Sequence, residues 1–233
     1  TTAKNWTQDG YKFAYKDGVD VIFGDTGAGT VTLAGTLAPK SVLVDSSSNY
    51  IWQGDGKLTG NMALTKSGTG SLTISTANDY TGGTVLNEGI LVAGNNTAFG
   101  TGTIQINGGE LNLGGHSIAN ALSIAEGVDA VIRNGSINTR DFTVSGGSLD
   151  ADRLHIVALV LDVADAGEVS FCNASSSSNG GAIYADDNTT VNLTGNESVT
   201  FSGNCAYSFS ISSSSHGGAI YGGNSSDITL SGN

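Results

Sequence analysis

The residues best suited to chemistry in this chain are Asp150, Asp152, Arg153 and His155, which fall within six consecutive positions. General acid–base cleavage of a polysaccharide requires carboxylates and basic groups gathered on one exposed sheet face. Side chains alternate along a strand, so Asp150 and Asp152 share one side while Arg153 and His155 lie on the other. The group therefore reads as solvated charge beside a corner, and no catalytic residue is assigned. Asp186 and Asp187 fall in a predicted loop between Tyr184 and Val191. His216 follows Ser212 to Ser215, but a triad is defined by geometry and no single serine stands out, so this too reads as an outward loop. His116 and His155 read as corner or strand residues. No metal or cofactor is expected: the glycine-rich segments lack the G-x-x-x-x-G-K-[ST] of a phosphate loop, G-G-x-G-x-D calcium repeats do not occur, and Cys172 and Cys205 have neither a CxxC partner nor a histidine at ligand spacing.

The elements that must position these residues are written in the composition. The 233 residues include 35 Gly and a single Pro, and only 13% are charged. Proline cannot donate to a β ladder, whereas glycine supplies the positive-φ corners between strands, so the composition describes many short strands. The formal net charge of −12 disfavours nucleic acid and anionic membrane as partners. The opening Thr-Thr-Ala-Lys-Asn-Trp has no hydrophobic signal region, and the longest apolar stretch, Leu154 to Val163, is interrupted by His155 and Asp162. It reads as two buried strands, and the chain as a mature or excised piece.

Internal repetition is plain near the C-terminal end. Gly180 to Asn196 reads GGAIYADDNTTVNLTGN and Gly217 to Asn233 reads GGAIYGGNSSDITLSGN, an offset of 37 residues with 8 of 17 positions identical. The repeated positions are Gly180, Gly181, Ala182 and Ile183 against Gly217, Gly218, Ala219 and Ile220, with Asn196 against Asn233. Related strands precede them, Val169-Ser170-Phe171 and Val199-Thr200-Phe201, followed by Asn173 or Asn204 and a serine-rich stretch. Each piece alternates with period two between Gly, Asn and Ser corners, which predicts short strands with one face inward. Equivalent strands return after roughly 30 residues, the spacing of a coil stacked on its predecessor. Asn196 with Asn233, and Asn173 with Asn204, would then form side-chain amide ladders. The middle of the chain has the same texture, as in Thr84-Val85-Leu86 and Thr103-Ile104-Gln105-Ile106, although its spacings suit a sandwich or barrel as well. The two cysteines sit near matching strands of successive coils. A bridge between Cys172 and Cys205 and two small buried thiols are both open.

From Leu64 to Gly94 the chain reads LTKSGTGSLTISTANDYTGGTVLNEGILVAG. This resembles the autotransporter-associated β-strand repeat. Lys66, Gly68, Gly70, Leu72, Asn78, Tyr80, Gly82, Gly83, Thr84, Gly89, Leu91 and Gly94 match its pattern, with Ile74 in place of a leucine. The C-terminal part resembles the GGAI and FxxN repeats of chlamydial polymorphic outer-membrane proteins: Gly180 to Ile183 and Gly217 to Ile220 match the first motif, and Phe201 to Asn204 the second. Phe171-Cys172-Asn173 is one residue short of it, and Leu230 stands for Phe in the last copy. These resemblances imply a right-handed parallel β-helix with about three short strands per coil, secreted by the type V route. They imply one continuous fragment over 1–233, with N-terminal coils at 1–63, autotransporter-type repeats at 64–168 and GGAI/FxxN-type repeats at 169–233. An outer-membrane β-barrel would follow in the intact chain.

The expected function is that of a surface or secreted Gram-negative adhesin or stalk, monomeric and without enzymatic activity. It would display binding loops, Ser175 to Asn179 and Tyr207 to His216, to a ligand on a host or neighbouring cell. The competing readings are a polysaccharide-active β-helix and a spacer without ligand.

Overall fold

Runs such as Ser41–Asp45, Ala63–Ser67 and Ser71–Ile74 alternate buried with partly exposed residues, as β-branched and leucine side chains at period two dictate. A corner rich in glycine, asparagine and serine ends most runs after two to five residues. In the computed structural model, which describes residues 6–8, 11–164, 168–176, 181–185, 190–196, 198–206, 219–222 and 226–232, these strands follow a coil with three faces. Face A carries Asp20–Phe23, Ser41–Asp45, Ala63–Ser67, Thr84–Leu86, Ile104–Ile106 and Leu122–Ile124, and continues through 141–145, 160–164, Thr190–Asn196 and Asp227–Gly232. Face B runs from Gly29–Thr32 to Ser198–Ser202. Face C includes Ser117–Ile118, 135–139, 154–158, Ile183–Ala185 and Ile220–Gly222.

Every one of these pairings is parallel and joins each coil to the next, which makes the fold a parallel β-helix. Among the described residues the one antiparallel pair is Trp6–Gln8 with Tyr11–Phe13, at the N-terminal end. Register partners 37 residues apart, Ile183 with Ile220 and Tyr184 with Tyr221, lie directly over one another, as the sequence repeat requires. The return length differs along the chain. Leu161 pairs with Val191, an offset of 30. Upstream the offsets are shorter: 21 for Val21 with Val42, 20 for Leu64 with Thr84, and 18 for Ile104 with Leu122. The 30-residue spacing read from the sequence thus belongs to the C-terminal coils, and the earlier coils close with only short corners.

The core is a set of inward columns. On face A, Val42, Leu64, Ile104, Leu122, Phe142, Leu161 and Val191 stack in order, each at most 3% exposed. Burial of each such side chain contributes roughly 1.5–3 kcal/mol. Aromatic pairs add to the core: Phe23 of face A meets Trp52 of face B at 5.1 Å, and Phe171 stacks on Phe201 along face B at 5.0 Å and 11°. Asp129–Ser145 and Ser148–Ala164 each sweep all three faces, bending at corners without losing their pairing. The apolar run from Leu154 to Val163 is there divided between face C and face A, as two buried strands.

Candidate functional site

The charged group at 150–155 is split by a corner. Asp150 and Asp152 face outward on face B. Arg153 then adopts φ 52°, between Asn134 at 61° in the coil before and Asn173 at 54° in the coil after. This left-handed column turns the chain from face B to face C, with Gly203 at 67° continuing it. Leu154 and Ile156 enter the core, so His155 points outward on face C. The expectation that Arg153 and His155 occupy the side opposite the aspartates is corrected accordingly, because strict alternation assumes a straight strand.

Partners for these charges come from neighbouring coils and, for Arg153, from the adjacent Asp152 as well. The Arg133 guanidinium lies 3.3 Å from Glu110 and 4.0 Å from Asp150, and Arg153 lies 3.3 Å from Asp152. Asp152 also accepts a hydrogen bond from Asn173 Nδ2 at 2.9 Å, while Arg153 Nε donates to Asn134 Oδ1 at 2.7 Å. Glu110 and Arg133 escape a linear reading of the sequence and become visible only once a coil of about 20 residues brings them beside Asp150. His155 places Nδ1 3.1 Å from the Gly181 carbonyl oxygen, and burial holds its pKa below the ordinary histidine value. The aspartates and the histidine therefore look out from different faces. Asp186, Asp187 and His216 lie outside the described residues.

The segment that matches the strand repeat forms the most elaborately bonded coil. Lys66 points into the core and is fully buried. Its Nζ donates to the carbonyl oxygens of Ser67 (2.8 Å), Gly68 (2.6 Å) and Glu88 (3.1 Å). Burial lowers its pKa, and the negative charges of Glu88 and Asp45 oppose that fall. Asn78 bridges three coils: its Oδ1 accepts from Leu58 N at 2.9 Å, and its Nδ2 donates to Ala98 O at 2.7 Å. Such a side chain satisfies the main-chain groups that the coil-to-coil bonds at the corner leave open. Tyr80 is buried, with its hydroxyl 2.7 Å from Thr84 Oγ1. Gly82 and Gly83 complete this corner, and a Cβ on Gly82 would lie 2.3 Å from Met62 O. Tyr80, Gly82, Gly83 and Thr84 are thus packing residues of a single turn.

The GGAI segments open the face C strands of the last coils. Ala182 N and Ile183 N both donate to Ala219 O, at 2.9 and 3.0 Å, and Ile156 N donates to Ala182 O. Tyr184 and Tyr221 stack at 5.4 Å and 4°. Gly180, Gly217, Gly218 and Asn233 lie outside the described residues. In place of an Asn173–Asn204 ladder, Asn204 Nδ2 donates to Phe171 O and its Oδ1 accepts from Ala174 N; Asn196 Nδ2 donates to Val163 O, and its expected ladder partner Asn233 lies outside the described residues. An amide that reaches back to the preceding coil satisfies main-chain groups that a side-chain ladder would leave open.

Register locates the insertions. Leu149 pairs with Val169, an offset of 20, yet Ile156 pairs with Ile183, an offset of 27, so seven residues are added between faces B and C. One coil later the offset grows from 30, Phe171 with Phe201, to 37, Ile183 with Ile220, adding seven more at the same corner. Both insertions leave from a short parallel pair, Ser175–Ser176 with Cys205–Ala206. The loop residues Tyr207 to His216, and Ser177 to Asn179 of the other loop, lie outside the described residues. Cys172 pairs with Ser202, and Cys205 with Ser175. Cys172 is a free thiol with Sγ 3.0 Å from Ser170 Oγ.

Comparison with known proteins bears on the same segments. Over 130 residues the chain is 32% identical to the adhesin BmaC autotransporter of Brucella suis biovar 1 (strain 1330). The match covers 54% of this chain and 3% of that protein, so the chain spans a small fraction of its relative's length. No solved structure matches. Residues 64–93 match the passenger-associated-transport-repeat, and the chain therefore carries a passenger-type transport repeat, folded as the Lys66 to Thr84 turn of a parallel β-helix.

Proposed function

We propose that this chain is a stretch of an autotransporter passenger that serves as a stalk and adhesin on the surface of a Gram-negative cell, holding two neighbouring loops out to a ligand. The observation that carries this reading is the placement of both insertions at one corner of adjacent coils, since a solenoid keeps its core while its loops vary. The transport repeat and the adhesin relative support the same reading. In the intact protein an outer-membrane β-barrel would anchor the passenger, and the partner would be a ligand on a host or neighbouring cell. The GGAI and FxxN repeats, similar to those of chlamydial outer-membrane proteins, build the loop-bearing coils. A stack in which each coil contacts only its neighbours suits export through a pore, because no coil waits on a distant partner.

Deletion of Tyr207 to His216 from the full passenger, displayed on cells through its own barrel, tests the proposal. Surface display, measured by protease accessibility, is expected to persist, and adhesion to fall at least about tenfold, as when a loop cluster carries the binding hot spots. Unchanged adhesion would overturn the adhesin reading in favour of a spacer.

A further inference from the structure

Lys66 occupies a slot that is otherwise apolar along the stack. The same inward position is taken by Val44 in the coil before and by Leu86, Ile106 and Ile124 in the coils after. Among the described residues, Lys66 is the one acidic or basic side chain that is buried. Its ammonium is satisfied because the slot lies at the end of the face A strand, where the corner carbonyls of Ser67, Gly68 and, from the next coil, Glu88 turn toward it. Gly89 makes the approach possible, since a Cβ there would stand 2.8 Å from Nζ.

Parallel strands with interchangeable apolar residues have a particular weakness. A slip of one residue turns every side chain to the wrong face, but a slip of two keeps the faces and merely exchanges one apolar residue for another. For Lys66 the consequence is different. A two-residue slip leaves Ser67 O and Gly68 O beside Nζ, since both belong to its own coil, but displaces Nζ by about 6.6 Å, twice the rise per residue, from Glu88 O and from the space left open at Gly89. Loss of one acceptor from a buried charged donor disfavours the slipped alignment. We propose that Lys66 is a register key: its carbonyl cage is completed, by Glu88 O, at one alignment of the two coils, so slipped stacking is penalised in this turn while native stacking is not. A polar core group that specifies register at no gain in stability has precedent in coiled coils. The proposal rests on the stacked fold and is independent of the adhesin reading.

The test uses outward positions. Thr65 and Val85 are register partners, whereas Thr65 and Asn87 come opposite one another only after a slip of two. Chains with Cys172 and Cys205 replaced by serine, and carrying either Thr65→Cys with Val85→Cys or Thr65→Cys with Asn87→Cys, are unfolded, refolded and oxidised. Diagonal neighbours stand too far apart to bridge without movement. With Lys66 present, the native bridge is expected to exceed the slipped one at least about tenfold. With Lys66→Met, and separately with Lys66→Leu, that ratio is expected to fall at least about tenfold in chains that still fold, which is the scale of one hydrogen bond lost from a charged donor. An unchanged ratio overturns the proposal. Failure of both variants to fold overturns it as well, because a key for register must be replaceable by the apolar residues that fill the same slot in adjacent coils.

Discussion

Tyr80→Ala is expected to lower the stability of the transport-repeat turn by about 3–5 kcal/mol, the range for emptying a fully buried aromatic site. Tyr80 has no exposed surface and fills the corner between faces C and A, where Thr101 N of the next coil donates to its carbonyl oxygen at 2.9 Å. Gly100 packs against it from the next coil so closely that a Cβ would lie 2.3 Å from Tyr80 O. The cavity cannot collapse, because glycine corners fix both neighbouring turns. Tyr80→Phe separates packing from bonding. It removes only the contact with Thr84 Oγ1 at 2.7 Å, and Thr84 keeps a longer bond to Phe99 O at 3.4 Å. About 0.5–1.5 kcal/mol should be lost in that case. Urea denaturation of the two variants reads the difference, and a Tyr80→Ala effect below the Tyr80→Phe effect would show that the ring is not packed as described.

Gly70→Val is expected to cost about 3 kcal/mol or more, at or beyond the upper end for overpacked sites. A Cβ at Gly70 would sit 2.3 Å from Ser48 O and 2.9 Å from Ser46 O, both backbone atoms of the preceding coil. Backbone in a stack cannot step aside without parting the coils, so the clash has no cheap relief. Gly115→Ala is the control. Gly115, unlike Gly70, has a left-handed backbone, at φ 86°, and a Cβ there meets nothing within 4 Å. Its cost should be confined to the roughly 1–2 kcal/mol of an unfavourable φ. Thermal unfolding of both variants tells close approach from backbone strain, and equal effects would mean that the coils are not stacked as tightly as the Gly70 contact implies.

The parts of this fold that a linear reading can reach are those where chemistry repeats at a fixed interval. GGAIY recurs 37 residues on, and the two copies are in register, tyrosine on tyrosine. The Leu64 to Gly94 pattern is legible for the same reason, since its glycines and Tyr80 are each demanded by a contact with an adjacent coil. The return length of the middle coils is hidden, because Leu64, Thr84, Ile104 and Leu122 are similar enough in size to stack in any order and carry no label of their coil. Arg153 misleads because a left-handed corner is usually announced by glycine or asparagine, as it is at Asn134 and Asn173. Lys66 is obscure in another way: a lysine between threonine and serine reads as surface, and only the three inward carbonyls reveal it as core. The loop corner was legible as an irregular spacing, but its position between faces B and C required the register of the strands on either side.

The stacking itself is open to direct measurement. Leu43, Ser123, Thr143, Asp162 and Asn192 belong to one column on face A, through successive register pairs. Spin labels placed at Leu43 and at one of the others in turn stand four, five, six and seven coils apart. Pulsed dipolar spectroscopy should return distances that grow by about 4.8 Å per coil, from about 19 Å to Ser123 to about 34 Å to Asn192. A linear series of that slope is what a parallel β-helix requires. Distances that level off, or that alternate between short and long as in two facing antiparallel sheets, would contradict it.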